Sequence, residues 1–119
     1  MERREHPRIK ADLTLNIDDA GSVIESQVEN ISCSGVYCRT KKLIPLMTKV
    51  MVALFLPYST ENKVGFNKLK CEGIIVRTQE VAVRDEIVYK TAIYFSSITK
   101  PEKNKIVSFI EHQLHKNFT

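Results

Sequence analysis

Tryptophan is absent from these 119 residues, and no apolar run comes near the length of a membrane span. A spanning helix needs about 20 consecutive apolar residues, so none is expected. The opening Met1-Glu2-Arg3-Arg4-Glu5 is charged and lacks the apolar stretch of a secretory leader. The expected location is therefore the cytoplasm. Cysteine is scarce and odd in number: Cys33, Cys38 and Cys71, with no CxxC spacing. That spacing speaks against a disulfide framework or a zinc ribbon, and a reducing compartment disfavours disulfides. Cys38 and Cys71 fall in strand-like stretches and are expected as small buried hydrophobes. His112 and His115 stand three apart near the C-terminus, with no thiol or carboxylate placed to join them. They are expected on a solvated helix face, and no metal or cofactor is expected.

Catalytic signatures are missing as well. There is no Gly-x-Ser-x-Gly elbow, Walker loop, zinc motif or paired-carboxylate pattern. Ser32-Cys33-Ser34-Gly35 contains nucleophiles, but no pattern places a histidine beside them. The chain is not expected to be an enzyme. It has no internal repeat, low-complexity segment or linker long enough to divide domains.

What is present is the composition of one ordinary globular domain, residues 1–119, large enough to bury a core. The net charge is +4 and the pI about 9.0. A mildly basic domain suits an anionic ligand or partner, and the charge alone does not choose between nucleotide, nucleic acid and anionic lipid.

Periodicity gives mostly strands. Ile9 to Ile17 alternates apolar and polar, as a half-buried strand does. Asp18-Asp19-Ala20-Gly21 reads as a turn, and Val23 to Ile31 as a second strand whose imperfect alternation suggests a bulge. Ser32-Cys33-Ser34-Gly35 closes a hairpin onto Val36 to Thr40. Lys49 to Leu56 is apolar almost throughout, which fits a strand covered on both faces, or one leading into a covered edge, ended by Pro57. Phe66 to Arg77 is a further strand, with Gly73 marking a bulge or barrel corner. Thr78 to Asp85 reads as a turn or extended hairpin tip, and Glu86 to Phe95 as the last strand. Phe55, Phe66, Phe95 and Phe109 read as core positions. Then the period changes. Thr99 and Glu102 have capping-box spacing, Pro101 sits in the first turn, and Ile106, Phe109, Ile110 and Leu114 form one apolar stripe. A helix over 99–117 is expected to lay that stripe on the sheet and close one end of the core. Six strands and a terminal helix leave several small antiparallel barrels open, SH3-like and OB-like among them.

Two clusters narrow the choice. Arg4-Glu5-His6-Pro7-Arg8, preceded by Arg3, reads as RxxxR. Asn30-Ile31-Ser32-Cys33-Ser34-Gly35, about twenty residues on, reads as D/N-x-S-x-x-G. An isolated RxxxR is usually a solvated tail, and Asn-x-Ser-x-x-Gly is an ordinary hairpin sequence. In this order, at the start of a strand-rich domain, the pair resembles the PilZ family, which binds the bacterial second messenger cyclic di-GMP. The likeness extends through Leu54-Phe55-Leu56-Pro57 and Gly73-Ile74-Ile75-Val76-Arg77 to Tyr89-Lys90-Thr91-Ala92-Ile93-Tyr94-Phe95, where Ala92 stands in place of the more usual glycine.

The resemblance implies a six-stranded antiparallel PilZ-type β-barrel over 9–97 with a C-terminal α-helix. It also implies a ligand on the barrel's outer surface, clasped by a flexible arm of residues 1–8. Arg4 and Arg8 would contact guanine and phosphate, and Arg3 would add a phosphate or stacking contact, a feature associated with binding a stacked pair of ligands. Guanidinium forks suit both groups, pairing with phosphate oxygens and with guanine O6 and N7. Asn30 would accept from the guanine edge, Ser32 would offer its hydroxyl, and Gly35 would let the backbone turn tightly and the ligand approach. Tyr37 and Arg39, on the strand leaving the turn, would border this surface, although Tyr37 also reads as an ordinary half-buried strand aromatic. The implied function is a cyclic di-GMP receptor, monomer or weak homodimer, signalling to an unidentified protein partner that controls motility, surface attachment or exopolysaccharide. Two alternatives compete: a PilZ-like adaptor that binds no nucleotide, and a nonspecific single-stranded nucleic-acid binder. The second would need basic and aromatic residues spread over a sheet face.

Overall fold

The structure, a computed structural model, describes residues 9–116. Six strands follow one another: β1 (Ile9–Asp19), β2 (Ser22–Ser32), β3 (Gly35–Thr40), β4 (Lys49–Ser59), β5 (Val64–Val83) and β6 (Glu86–Ser97). Helix α1 (Lys100–Lys116) ends the described chain. All pairings are antiparallel, and the ring runs β1-β2-β3-β6-β5-β4 before β4 closes back on β1. The expected arm, residues 1–8, lies outside the described residues.

Alternation decides which side chains go inside. Leu13, Leu15 and Ile17 of β1 point inward with Val28 and Ile31 of β2 and Val50, Val52, Leu54 and Leu56 of β4. The expectation that β4 is covered on both faces is corrected: Met51 is exposed, and Ala53 and Phe55 are only half-buried. An apolar run cannot reveal that one of its faces stays wet. Nor does Pro57 end the strand. The last β1 partner of β4 is Leu54, so from Phe55 onward β4 pairs only with β5, and Pro57 sits opposite Phe66. A strand bonded on one side tolerates the missing N–H. Phe66 is 69% exposed on this ribbon rather than in the core, whereas Phe95 and Phe109 are buried.

β5 serves two neighbours. Its first part pairs with β4 from Val64 to Ile74, and its second with β6 from Glu72 to Val83. Gly73 stands where the two overlap, flanked by register shifts, and a Cβ there would come within 2.5 Å of Ile93 Cγ2. This is the predicted corner. The stretch 78–83, expected as a tip, is strand, and the chain reverses only at Arg84 and Asp85, both with positive φ. Neither is a glycine, so the usual hairpin signal is missing.

α1 closes one end of the ring with Ile106, Phe109 and Ile110, all buried, while Leu114 is at the exposed margin. Thr99 caps it as expected: its hydroxyl accepts from Glu102 N–H at 3.3 Å. The Glu102 carboxylate does not complete the box. One of its oxygens accepts from the backbone N–H of Lys70 in β5 at 3.1 Å, and the other from Lys105 Nζ at 3.0 Å. It thus pins the helix to the sheet. His112 and His115 are exposed. No described helix is long and apolar enough to cross a membrane.

Candidate ligand-binding surface

The β2–β3 hairpin is built to hold its turn still. Ser32 and Gly35 are the last pair of the ladder, and Cys33 and Ser34 make the turn. Ser34 N–H donates to Ser32 Oγ at 3.2 Å, and the two serine hydroxyls lie 3.0 Å apart. Ser34 carbonyl oxygen accepts from Phe95 N–H at 2.9 Å, tying the turn to β6. Ser32 is consequently buried, at 6% exposure. Packing of the turn on β6 thus leaves little of the Ser32 hydroxyl, expected to be offered to a ligand, open to solvent. Cys33 is also buried.

Gly35 is needed for a different reason than a tight turn. Its φ is not in the left-handed region, which among the described glycines only Gly21 occupies. Instead β3 and β6 approach so closely that a Cβ at position 35 would overlap the Ile93 carbonyl oxygen.

Asn30 lies two pairs further along β2, between Lys10 of β1 and Tyr37 of β3. The register shifts beside it on both sides: between Val28 and Asn30 on the β3 side, and between Lys10 and Leu13 on the β1 side. The bulge leaves Glu29 as the extra residue and turns Asn30 to the outer face, with Val28 and Ile31 both kept inward. Asn30 Oδ1 is buried and, among the described residues, accepts no hydrogen bond. A buried acceptor without a donor costs about 1–3 kcal/mol, and such an atom calls for an explanation.

The row through Asn30 continues across the ring as Lys10, Asn30, Tyr37, Ala92 and Arg77. The row below it holds Arg39 beside Lys90. Four cations, Lys10, Arg39, Arg77 and Lys90, thus surround Asn30 and Tyr37 on one outer face. Among the described residues Arg39 is paired: its Nε and a terminal nitrogen both lie 3.2 Å from Glu29 Oε1. Among the described side chains this face is therefore polar and net positive, with half-buried Asn30 at its centre. It can neutralise phosphate, and the Asn30 amide, once turned outward, can read a donor edge.

Of the expected site residues, the structure brings Asn30, Ser32 and Gly35 together at one hairpin end. Arg3, Arg4 and Arg8 lie outside the described residues. Lys10 and Lys90 were not singled out from the sequence; only pairing of β3 with β6, and of β1 with β2, places them here. Cys38 and Cys71 are buried as expected. Burial pushes the Cys38 thiol up to about 11 and the Cys71 thiol, with help from the Glu102 carboxylate, up to about 12. Among the described residues no group of three His, Cys, Asp or Glu side chains could hold a metal ion. A cavity of ≈ 330 Å³ lies between α1 and the β4–β5 ribbon, lined in part by Leu56, Tyr58, Asn67, Phe109 and His112. None of the described motif residues, Asn30, Ser32 and Gly35, lines it.

A family model described as PilZ domain matches residues 2–112. The chain belongs to the PilZ family. Solved structures agree on the fold. The inhibitor of motility MotI/DgrA of Bacillus subtilis is similar over 98% of this chain and 54% of its own, at 18% identity and TM-score 0.78. The PilZ domain of YcgR from Escherichia coli, solved with c-di-GMP, is similar over 99% of both chains, at 13% identity and TM-score 0.65. The K. pneumonia MrkH–c-di-GMP complex is similar over 98% of this chain and 55% of its own, at 13% identity and TM-score 0.74. This PilZ domain thus spans about half the length of MotI and MrkH. Among curated proteins no match is found.

Proposed function

We propose that this PilZ domain is a cyclic di-GMP receptor that holds the messenger on the outer face of β2 and β3 and passes the signal to a protein partner. The observation that carries the reading is Asn30 Oδ1, a buried acceptor without a donor among the described residues, at the motif position expected to meet guanine. Guanine N1–H and N2–H are donors, and binding would satisfy the atom. Lys10, Arg39, Arg77 and Lys90 supply the positive surround that two phosphates require. Arg4 and Arg8 would close over the nucleotide, with Arg3 as an extra contact. The entropy of ordering that segment must be offset by new contacts. Bidentate arginine contacts, at about 1–3 kcal/mol each by analogy with base discrimination, suffice for a short arm.

The names of the similar structures support the same ligand and a motility output; a surface-attachment output, action without catalysis and a cytoplasmic location belong to the same proposal. The partner would be a protein that distinguishes the ligand-bound surface from the free one. Calorimetric titration of the full chain with cyclic di-GMP tests this and returns affinity and stoichiometry together. Saturable binding is expected; no heat and no protection against thermal unfolding would overturn the assignment.

A further inference from the structure

Large and tiny residues alternate on the outer face where β3 meets β6. Gly35 pairs with Tyr94, and Tyr37 pairs with Ala92. Residues two apart on a strand share a face. Val36 and Ile93, the pair between them, are buried in the core, so these four positions all look outward. The tyrosines occupy one diagonal of the four-residue patch. The other diagonal holds a residue with no side chain and one with a single methyl group. This alternation leaves low backbone at Gly35 and Ala92 between two large side chains, an arrangement that would make a slot if both rings stand up from the sheet. Tyr94 is 52% exposed, and Tyr37 is half-buried.

The dimensions suit a flat ring. Diagonal cross-strand neighbours are about 7–8 Å apart. A planar base between two aromatic walls needs two carbon–carbon contact layers of about 3.5 Å each. The slot runs along the Gly35–Ala92 diagonal. Past Gly35 it opens toward Ser32 and Ser34, and past Ala92 toward Arg77, the next residue in that row. Arginine donors there match the O6 and N7 acceptors of guanine. Asn30 stands on the opposite side of Tyr37 from the slot. Its acceptor and the slot are thus two separate base sites on one continuous surface.

Resting on the cyclic di-GMP reading above, we infer that Tyr37 and Tyr94 grip one guanine of the ligand by its faces while Asn30 reads the edge of another. Gly35 and Ala92 serve as the slot's floor, and a larger residue at position 92 closes it. The two base sites act through different contacts, so their losses combine rather than duplicate one another.

The chain has four tyrosines and no tryptophan, so its intrinsic fluorescence is tyrosine fluorescence. Titration of the full chain with cyclic di-GMP is expected to quench it, because a stacked guanine lies against two of the four. Tyr94→Leu, at an exposed position that leaves thermal stability unchanged, is expected to weaken binding about 10-fold and to remove much of the quenching. Tyr94→Phe keeps the flat wall and is expected to bind as the unmodified protein does. Ala92→Leu keeps both rings, fills the slot, and is expected to weaken binding by a similar factor. If the unmodified chain binds cyclic di-GMP calorimetrically and both Tyr94→Leu and Ala92→Leu bind equally well, the slot is wrong and the receptor reading stands. If the unmodified chain shows no binding at all, the receptor reading fails, and the slot fails with it.

Discussion

The backbones of Gly35 and Ile93 lie so close that a Cβ on residue 35 would overlap the Ile93 carbonyl oxygen. The glycine at the end of the Asn30–Gly35 motif is thus set by packing of β3 on β6. Gly35→Ala must push the two strands apart. Such overpacking costs about 1–3 kcal/mol. The urea midpoint should fall accordingly, and cyclic di-GMP binding should weaken because the hairpin end moves. A variant as stable as the parent would show that the strands separate freely here.

Asn30 and Ser32 should separate into two behaviours. Asn30→Ala removes an acceptor that has no partner among the described residues of the free protein, so stability should hold or rise while ligand affinity drops about 10-fold, the equivalent of one lost hydrogen-bonding contact to a base. Asn30→Asp should bind as well or better, since a carboxylate accepts from both guanine donors. Ser32→Ala loses the bond from Ser34 N–H as well, so it should also lose about 1 kcal/mol of stability. Denaturation and calorimetry on the same samples resolve the two.

Removing residues 1–8 should abolish nucleotide binding and leave the melting temperature nearly unchanged. Arg4→Ala and Arg8→Ala should each nearly eliminate binding. Arg3→Leu should lower the stoichiometry from two ligands per chain toward one, since a stacked pair brings four phosphates and more cations are needed to meet them. Added salt should weaken all of these interactions. Calorimetric stoichiometry decides the paired-ligand expectation: saturation of the unmodified chain at one ligand would sink it.

Glu102 joins α1 to β5 through Lys70 N–H. Glu102→Ala should cost about 1 kcal/mol, a fall of about 4 °C in melting temperature for a domain of this size, with faster amide exchange at Lys70. Ligand affinity should not change, because α1 is not part of the binding face.

The buried thiols set an alkaline limit. Burial holds Cys38 near pKa 11, against 9.0 for an ordinary thiol. Below about pH 9 folded and unfolded chains both keep the proton, and this contribution to stability is complete. Above it the unfolded chain releases a proton that the folded chain retains, so stability declines as pH rises through 9 to 11. Urea midpoints measured over that range should fall less steeply in Cys38→Ala than in the parent. Equal slopes would mean that the thiol does not contribute.

Much of the architecture was legible in the sequence because facing is local. Alternation at Leu13, Leu15 and Ile17 and the stripe of Ile106, Phe109 and Ile110 report which side of an element meets the core, whatever the partner. Gly73 announced the corner for the same reason, and Asn30-Ile31-Ser32-Cys33-Ser34-Gly35 is a short-range hairpin pattern. Residues 1–119 thereby determined a strand-rich domain with a terminal helix and the hairpin end of its ligand motif. The tertiary structure decided what lies beside what. Pro57 remains in a strand because β1 departs from β4 at Leu54. Phe66 is exposed because the β4–β5 ribbon outruns the ring that would cover it. Tyr94 and Ala92 reach Gly35 and Tyr37 only because β3 passes over its sequence neighbour to pair with β6. Local periodicity carries no record of such pairing. It is set by ring closure, in which the inward faces of all six strands must share one core.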